Sequence, residues 1–307
     1  MRILVVGAGG TGGYFGARLA QAGRDVTFLV RPARAAQLRA DGLRIASPHG
    51  DLSLAPQLLT ADQIAGPFDA VLLTVKAYAL DAALADLAPA VGPATVIVPT
   101  LNGMNHIDRM TARFGSGPVL GGVCLVATTV DEAGRIVQLT GLQELSYGEL
   151  EGGMSARVAA LDATMQGAGF TARASDRIVL EMWEKWVTLA TLGGITCLLR
   201  GTVGEIAAAP GGADLARQLL AEAAAVAGAA GFPPREASLD RARAMVTAAG
   251  SPLASSMYRD LQRGNPVESE QIVGDLLRRA RALGVATPLL AVAFAHLSVY
   301  QRRVAGG

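Results

Sequence analysis

Between Met1 and Arg31 the chain leaves few folds open. Arg2-Ile3-Leu4-Val5-Val6 is a short apolar run without polar alternation, the pattern of a strand buried on both faces. It runs straight into Gly7-Ala8-Gly9-Gly10-Thr11-Gly12, a G-x-G-x-x-G. An amphipathic stretch from Gly13 to Ala22 follows, and Gly23 closes it as a helix C-cap would. A second apolar run, Val26-Thr27-Phe28-Leu29-Val30, delivers Arg31. Glycine-rich turns also occur where nothing binds, but strand, glycine turn, helix and strand in this order form the unit that holds a dinucleotide. Gly7 makes the tight turn, Gly9 admits a pyrophosphate to the backbone, and Gly12 lets the helix pack closely on the strand. Gly10 and Thr11 complete the cradle, and the helix N-terminus offers free N–H groups and a partial positive charge to the phosphates.

The end of the second strand refines the expected cofactor. NAD-selective enzymes place Asp or Glu there to hold the ribose 2′-OH. This strand ends Leu29-Val30-Arg31-Pro32-Ala33-Arg34, with no carboxylate before Asp41. A guanidinium at Arg31 suits a 2′-phosphate, which it can grip through two parallel hydrogen bonds. The competing reading is a solvated surface arginine. The expectation is NADP(H).

A chain of 307 residues is too long for a typical single core and points to two domains. Its formal net charge of +1 gives no reason to expect nucleic acid or an anionic membrane surface as partner. Hydrophobic residues make up 51%, yet charges, Gly and Pro break every apolar run before membrane-spanning length. The first strand opens at Arg2, so no signal peptide is expected. Cys124 and Cys197 stand in separate apolar stretches without metal spacing and read as buried thiols of a reducing, cytoplasmic compartment. His49, His106 and His296 are isolated in sequence, so no metal site is expected.

Along the chain, Leu43-Arg44-Ile45 and Leu52-Ser53-Leu54 flank a Pro48-His49-Gly50-Asp51 turn and read as a hairpin. Phe68 to Val75 is a buried strand ending in Lys76, and Thr95 to Val98 is the next, leading to Asn102-Gly103. Helices are expected from Ala33 to Asp41, Ala79 to Leu87, and before Phe114. Val119 to Thr128 is a further strand. Arg135 to Leu139 and Gln143 to Tyr147 read as antiparallel additions after a turn at Glu132-Ala133-Gly134. A helix from Ala156 to Met165 and a short strand at Phe170 to Arg173 close this part, and only helical periodicity follows. The expected architecture is an α/β Rossmann-type domain over residues 1–174, followed by an all-helical substrate and dimerisation domain over residues 175–307. Ligands of such sheets lie outside the carboxyl ends of the strands, where Gly9, Lys76 and Asn102 fall.

Taken together, these residues resemble the ketopantoate reductase family, the 2-dehydropantoate 2-reductases. The matching pieces are Gly7 to Gly12, Arg31, Val75-Lys76-Ala77, Leu101-Asn102-Gly103-Met104, Trp183-Glu184-Lys185, Gly204-Glu205, Ser255-Ser256-Met257 with Asp260, and Glu268 before Gly274. The resemblance implies an NADPH-dependent reduction of a 2-oxo acid to a 2-hydroxy acid, with a place in pantothenate biosynthesis. It implies Lys185 as general acid and Glu268 as the carboxylate that pairs with this lysine or with substrate. It implies Asn102 and Ser256 as substrate hydrogen-bonding groups, and Lys76 as a lysine on the cofactor side or in the active site. Lysine fits the chemistry, because an alkoxide developing on a ketone needs a proton donor and burial can lower a lysine pKa.

Each assignment has a plainer competitor. Glu181 precedes Lys185 by four residues and allows an ordinary helix-surface pair, although Trp183 and Trp186 flank the lysine in a largely apolar stretch. Asn265, Pro266 and Glu268 have the spacing of N-cap, N1 and N3 in a helix running to Leu283. Asn102-Gly103 could be only a turn, Lys76 a solvated lysine, and Ser256 a helix start.

The chain also departs from the family pattern. Four and eight residues beyond Lys185, where the family usually shows asparagines, stand Leu189 and Gly193, and Val203 replaces a third. The expectation is a substrate tail more apolar or bulkier than that of ketopantoate, with room for it at Gly193. A shifted helix would instead bring Thr188, Thr191 or Thr196 into the polar role. Two other functions stay open, an NADP-binding regulatory protein without turnover and a dehydrogenase of the 6-phosphogluconate or opine type, which also joins a Rossmann domain to a helical one. The expected partners are a small-molecule 2-oxo acid and, as candidate assembly, a second copy in a homodimer.

Overall fold

The computed structural model describes residues 1–305 and resolves the chain into two compact units. The first comprises Met1–Leu101 with His106–Val179, and the second Asn102–Asn105 with the chain from Leu180 onward.

The first unit begins β1 (Arg2–Val6), α1 (Gly10–Gln21), β2 (Asp25–Leu29), α2 (Pro32–Asp41), β3 (Leu43–Ala46), β4 (Leu52–Leu54), β5 (Gln57–Leu59). It continues β6 (Ala70–Leu73), α3 (Leu80–Leu87), β7 (Val96–Pro99), α4 (Asn105–Phe114), β8 (Leu120–Val130), β9 (Ile136–Glu149), α5 (Ala156–Met165) and β10 (Thr171–Ala174). One sheet has the order β5-β2-β1-β6-β7, and every pairing in it is parallel. The apolar runs of β1 and β6 are buried along their length because helices and neighbouring strands cover both faces. Strand order reverses between β1 and β6, the switch point outside which ligands of such sheets bind.

The second sheet has the order β10-β9-β3-β4, with β8 also paired to β9. β3 and β4 form the expected antiparallel hairpin. The two segments read as separate additions are one strand, β9, which pairs antiparallel with β8 across an irregularity between Val126 and Thr128. β5 is not foreseen by the sequence, since three residues carry no usable periodicity and only pairing with β2 makes them a strand. Packing between helix and sheet is close: an added Cβ at Gly16 would meet the Phe28 ring, and Phe15 meets Phe170 edge to face at 4.8 Å.

The second unit is built on helices: α6 (Ile178–Leu199), α7 (Val203–Ala208), α8 (Gly212–Ala229), α9 (Glu236–Val246), α10 (Ser256–Gln262), α11 (Asp275–Ala282) and α12 (Pro288–Ala305). A π-helical turn, Glu270–Gly274, leads into α11. Trp186 is fully buried in α6, and Trp183 stacks on Phe232 with ring centroids 6.1 Å apart. Thr202 opens α7 with a capping box closed by Glu205. No helix among the described residues is long and apolar enough to cross a membrane.

Candidate functional site

At the switch point of the first unit, the glycine loop leaves β1 and enters α1. Gly7 has φ +97°, a backbone conformation that a side chain would strain. An added Cβ at Gly12 would overlap the Gly7 carbonyl and the Thr74 hydroxyl, so helix and strand can approach only without one. At Gly9 no atom lies within 4 Å of where a Cβ would stand. That residue is the N-cap of α1, no side chain caps the helix, and no acidic residue occupies its first turn. An open glycine before an uncapped helix start is the arrangement that accepts a pyrophosphate. The loop therefore fits a dinucleotide.

Two residues that the sequence reading passed over hold this loop. Thr74, just past β6, donates through Oγ1 to the carbonyls of Val6 at 2.8 Å and Gly7 at 3.0 Å. Arg34 in α2 donates through Nη2 to the Ala8 carbonyl at 3.1 Å and through Nη1 to Gln37 Oε1 at 2.6 Å. Burial pulls the Arg34 guanidinium below its ordinary pKa, against the opposing pull of Asp41. Thr74 is a neighbour of Gly7 only through β1–β6 pairing, and nothing local signals it. Arg34 is visible in the sequence only as one more arginine after Arg31. Arg31 itself is exposed at the entry to α2, with Pro32 at N1, and Lys76 is exposed just beyond β6.

In the second unit Lys185 is half-buried on α6, between the buried Glu184 and Trp186. Glu184 does not face solvent as a surface residue would. It accepts three hydrogen bonds from Arg235, from the backbone N at 2.9 Å, Nε at 2.8 Å and Nη2 at 2.6 Å. Burial would raise the Glu184 carboxyl, but these bonds outweigh it and hold the pKa below the usual carboxylate value.

Glu268 is not at N3 of a helix capped by Asn265. Residues 265–268 are non-helical, the helix starts at Ser269, and Glu268 precedes it with its carbonyl accepting the Ile272 N–H at 3.0 Å. The capping-box spacing is thus coincidental, and the first turn is π-helical instead. Asn102 and Gly103 do form a bend, with Gly103 at φ +78°. Within the second unit the bend is held by Gln271, whose Nε2 donates to the Asn102 carbonyl at 2.7 Å. Ser256 is exposed at the first turn of α10, while its neighbour Ser255 caps that helix and shares a hydrogen bond with Thr196 at 2.8 Å.

The positions that depart from the family pattern fare differently. Val203 is 0% exposed, so its side chain belongs to the interior of the unit. Gly193 is buried, and the flexible end of the Met257 side chain stands where its Cβ would be, so the space beside it is filled by Met257 and is not open. Thr191 and Thr196 are also 0% exposed and bond back to the Val187 and Leu192 carbonyls, which removes them from the polar role. Leu189 alone of the three replacements keeps a partly exposed side chain. Among the described residues no group of three or more His, Cys, Asp and Glu side chains is placed to hold a metal ion.

Two family models match the chain. The one described as ketopantoate reductase PanE/ApbA covers residues 3–152, and its C-terminal counterpart covers residues 177–301. The chain belongs to the ketopantoate reductase family. An uncharacterized oxidoreductase, YkpB of Bacillus subtilis, is 36% identical over 98% of this chain and 99% of its own. A 2-dehydropantoate 2-reductase of Mesorhizobium japonicum is 33% identical, with 94% of each chain covered. The crystal structure of 2-dehydropantoate 2-reductase from Methylococcus capsulatus superposes with a TM-score of 0.88 at 30% identity, over 99% of this chain and 98% of that one. The fold is shared too with a D-mandelate dehydrogenase solved with NADH and anilino(oxo)acetate, at TM-score 0.88 and 21% identity. The family is one of oxidoreductases.

Proposed function

We propose that this protein is an NADPH-dependent reductase converting a 2-oxo acid into a 2-hydroxy acid, with 2-dehydropantoate or a close analogue as substrate. The observation that carries this reading is that the residues bearing the expected chemistry in the second unit, Lys185, Asn102 and Glu268, lie on segments joined through one turn, Glu270–Gly274. The same chain carries an open dinucleotide cradle at Gly9.

Reduction of a 2-oxo acid adds a hydride at C2 and a proton at the carbonyl oxygen. Bound NADPH supplies the hydride. Gly7, Gly9, Gly10, Thr11 and Gly12 hold the pyrophosphate, and Arg31 binds the 2′-phosphate. Lys185 donates the proton from Nζ to the oxygen as the alkoxide develops, and is left neutral until it is reprotonated. Glu268 supplies the carboxylate that keeps this ammonium group oriented or holds the substrate. Asn102, Ser256 and Lys76 supply hydrogen bonds to the bound acid or, for Asn102 and Lys76, to the cofactor. Leu189 argues for a tail with an apolar group at its side.

The test is NADPH oxidation, followed by absorbance, across a panel of 2-oxo acids, together with calorimetric titration of NADPH. Turnover of at least one such acid is expected. Tight NADPH binding with no turnover across the panel would overturn the reading in favour of a regulatory protein.

A further inference from the structure

The π-helical turn Glu270–Gly274 sits where three chain segments meet, and π turns inside helices are frequent at functional sites. Past the exposed Glu270 its residues are buried, with Gln271 and Ile272 only 4% and 3% exposed. Two of them, Gln271 and Ile272, make three bonds that reach α6, the Asn102 bend and the residue before the helix. The Ile272 carbonyl accepts the indole N–H of Trp186 at 2.8 Å, and Trp186 directly follows Lys185 in α6. The Ile272 N–H donates to the Glu268 carbonyl at 3.0 Å. Gln271 Nε2 donates to the Asn102 carbonyl at 2.7 Å.

The fit is tight on both sides of the turn. An added Cβ at Gly103 would stand 2.7 Å from the Gln271 carbonyl oxygen, and one at Gly274 would stand 2.7 Å from the Phe294 ring. Buried amide and indole N–H groups have no water to fall back on, so these bonds enforce one register rather than several. None of the three bonds uses a chemistry-bearing side chain. They act on the backbone of Asn102, the helix of Lys185 and the backbone of Glu268.

We propose that Trp186 and Gln271 are positioning residues, and that the turn Glu270–Gly274 is the fixture that sets Asn102, Lys185 and Glu268 in register for the reaction. The proposal rests on the reductase reading given above. Small displacements of such groups, on the order of 1 Å, can lower turnover by about a hundredfold. The fixture therefore affects kcat without touching substrate.

Trp186→Phe and Gln271→Met remove the N–H donors while keeping most of the packing. Both should lower kcat by about ten- to a hundredfold while the melting temperature changes little, and Trp186→Phe should leave NADPH affinity within about twofold. Their effects should be less than additive in the double variant, because both act through one turn. Hydrogen exchange supplies a readout that needs no substrate: Gln271→Met should speed exchange at the amides of Asn102–Asn105, and Trp186→Phe at those of residues 268–274. A kcat within about twofold of the parent in both variants, or a loss matching the fraction unfolded, overturns the proposal. If the parent reduces no 2-oxo acid, the reductase reading fails by itself, and unchanged exchange in both segments then overturns the fixture as well.

Discussion

The terminal methyl of Met257 occupies the space that a side chain on residue 193 would need, so Gly193 and Met257 share one site in the interior of the second unit. With Val203 fully buried as well, Leu189 is the one of the three replacements whose side chain stays partly exposed. Ketopantoate carries a 4-hydroxyl, and leaving a hydroxyl desolvated and unpaired costs about 1–3 kcal/mol. The parent protein should therefore prefer 3,3-dimethyl-2-oxobutanoate, which lacks that hydroxyl. Leu189→Asn should move the kcat/KM ratio toward ketopantoate by about three- to tenfold, the scale of one neutral hydrogen bond. A parent that handles ketopantoate clearly best would falsify this.

Cofactor choice should follow Arg31. NADPH should exceed NADH in kcat/KM, and Arg31→Asp should shrink or invert the ratio. A charge-assisted bidentate contact contributes about 1.5–3 kcal/mol, so a loss of roughly ten- to a hundredfold for NADPH is expected. Equal use of the two cofactors by the parent protein would contradict the assignment.

Lys185→Ala should keep NADPH affinity and lower kcat by about two to four powers of ten, the scale of general acid catalysis. Glu268→Ala should weaken substrate more than cofactor. Near-normal turnover in Lys185→Ala would return the lysine to an ordinary helix pair with Glu181.

The Glu184–Arg235 pair makes an acid-stability prediction. Since the folded carboxyl is held below its ordinary value of 4.5, the folded state binds the proton less readily than the unfolded chain. The stabilisation is whole above that value and is lost as pH falls through the lower, folded one. Melting curves on acidification should therefore fall faster for the parent than for Glu184→Gln. Arg235→Ala should cost about 2–3 kcal/mol near neutral pH, because it strands a carboxylate that is 6% exposed, while Arg235 itself is half in solvent.

Cys197 is a buried thiol whose pKa burial pushes up to about 11. At pH 8 only about one part in a thousand would be thiolate. Iodoacetamide should leave Cys197 unmodified in the native protein and label it on unfolding, read by peptide mass. Rapid native labelling would show that the site opens.

What the sequence reveals depends on how local the cause is. The cradle at Gly7 to Gly12 is legible because its spacing is dictated by a turn and one helix start. Thr74 is not, because it reaches the Val6 carbonyl across 68 residues through strand pairing. Glu268 carries a misleading capping pattern: the spacing from Asn265 is right, but the helix begins one residue after Glu268 and its first turn is bonded to Trp186, 86 residues away in sequence from Ile272. Gly193 misleads in the other direction. A glycine in place of a larger residue suggests room, and only the packing of Met257 shows that the room is taken.

Because Asn102–Asn105 groups with the chain from Leu180 onward although it leads from β7 into α4, the chain passes from one unit to the other three times. Neither unit is a continuous stretch of gene. A chimera that exchanges everything after residue 175 for the matching half of a relative would keep this protein's Asn102–Gly103 bend and set it against a foreign counterpart of Gln271. Successful recombination between family members would have to move those four residues together with the C-terminal half, so crossovers tolerated at the boundary near Leu180 should carry a second, compensating exchange at 102–105.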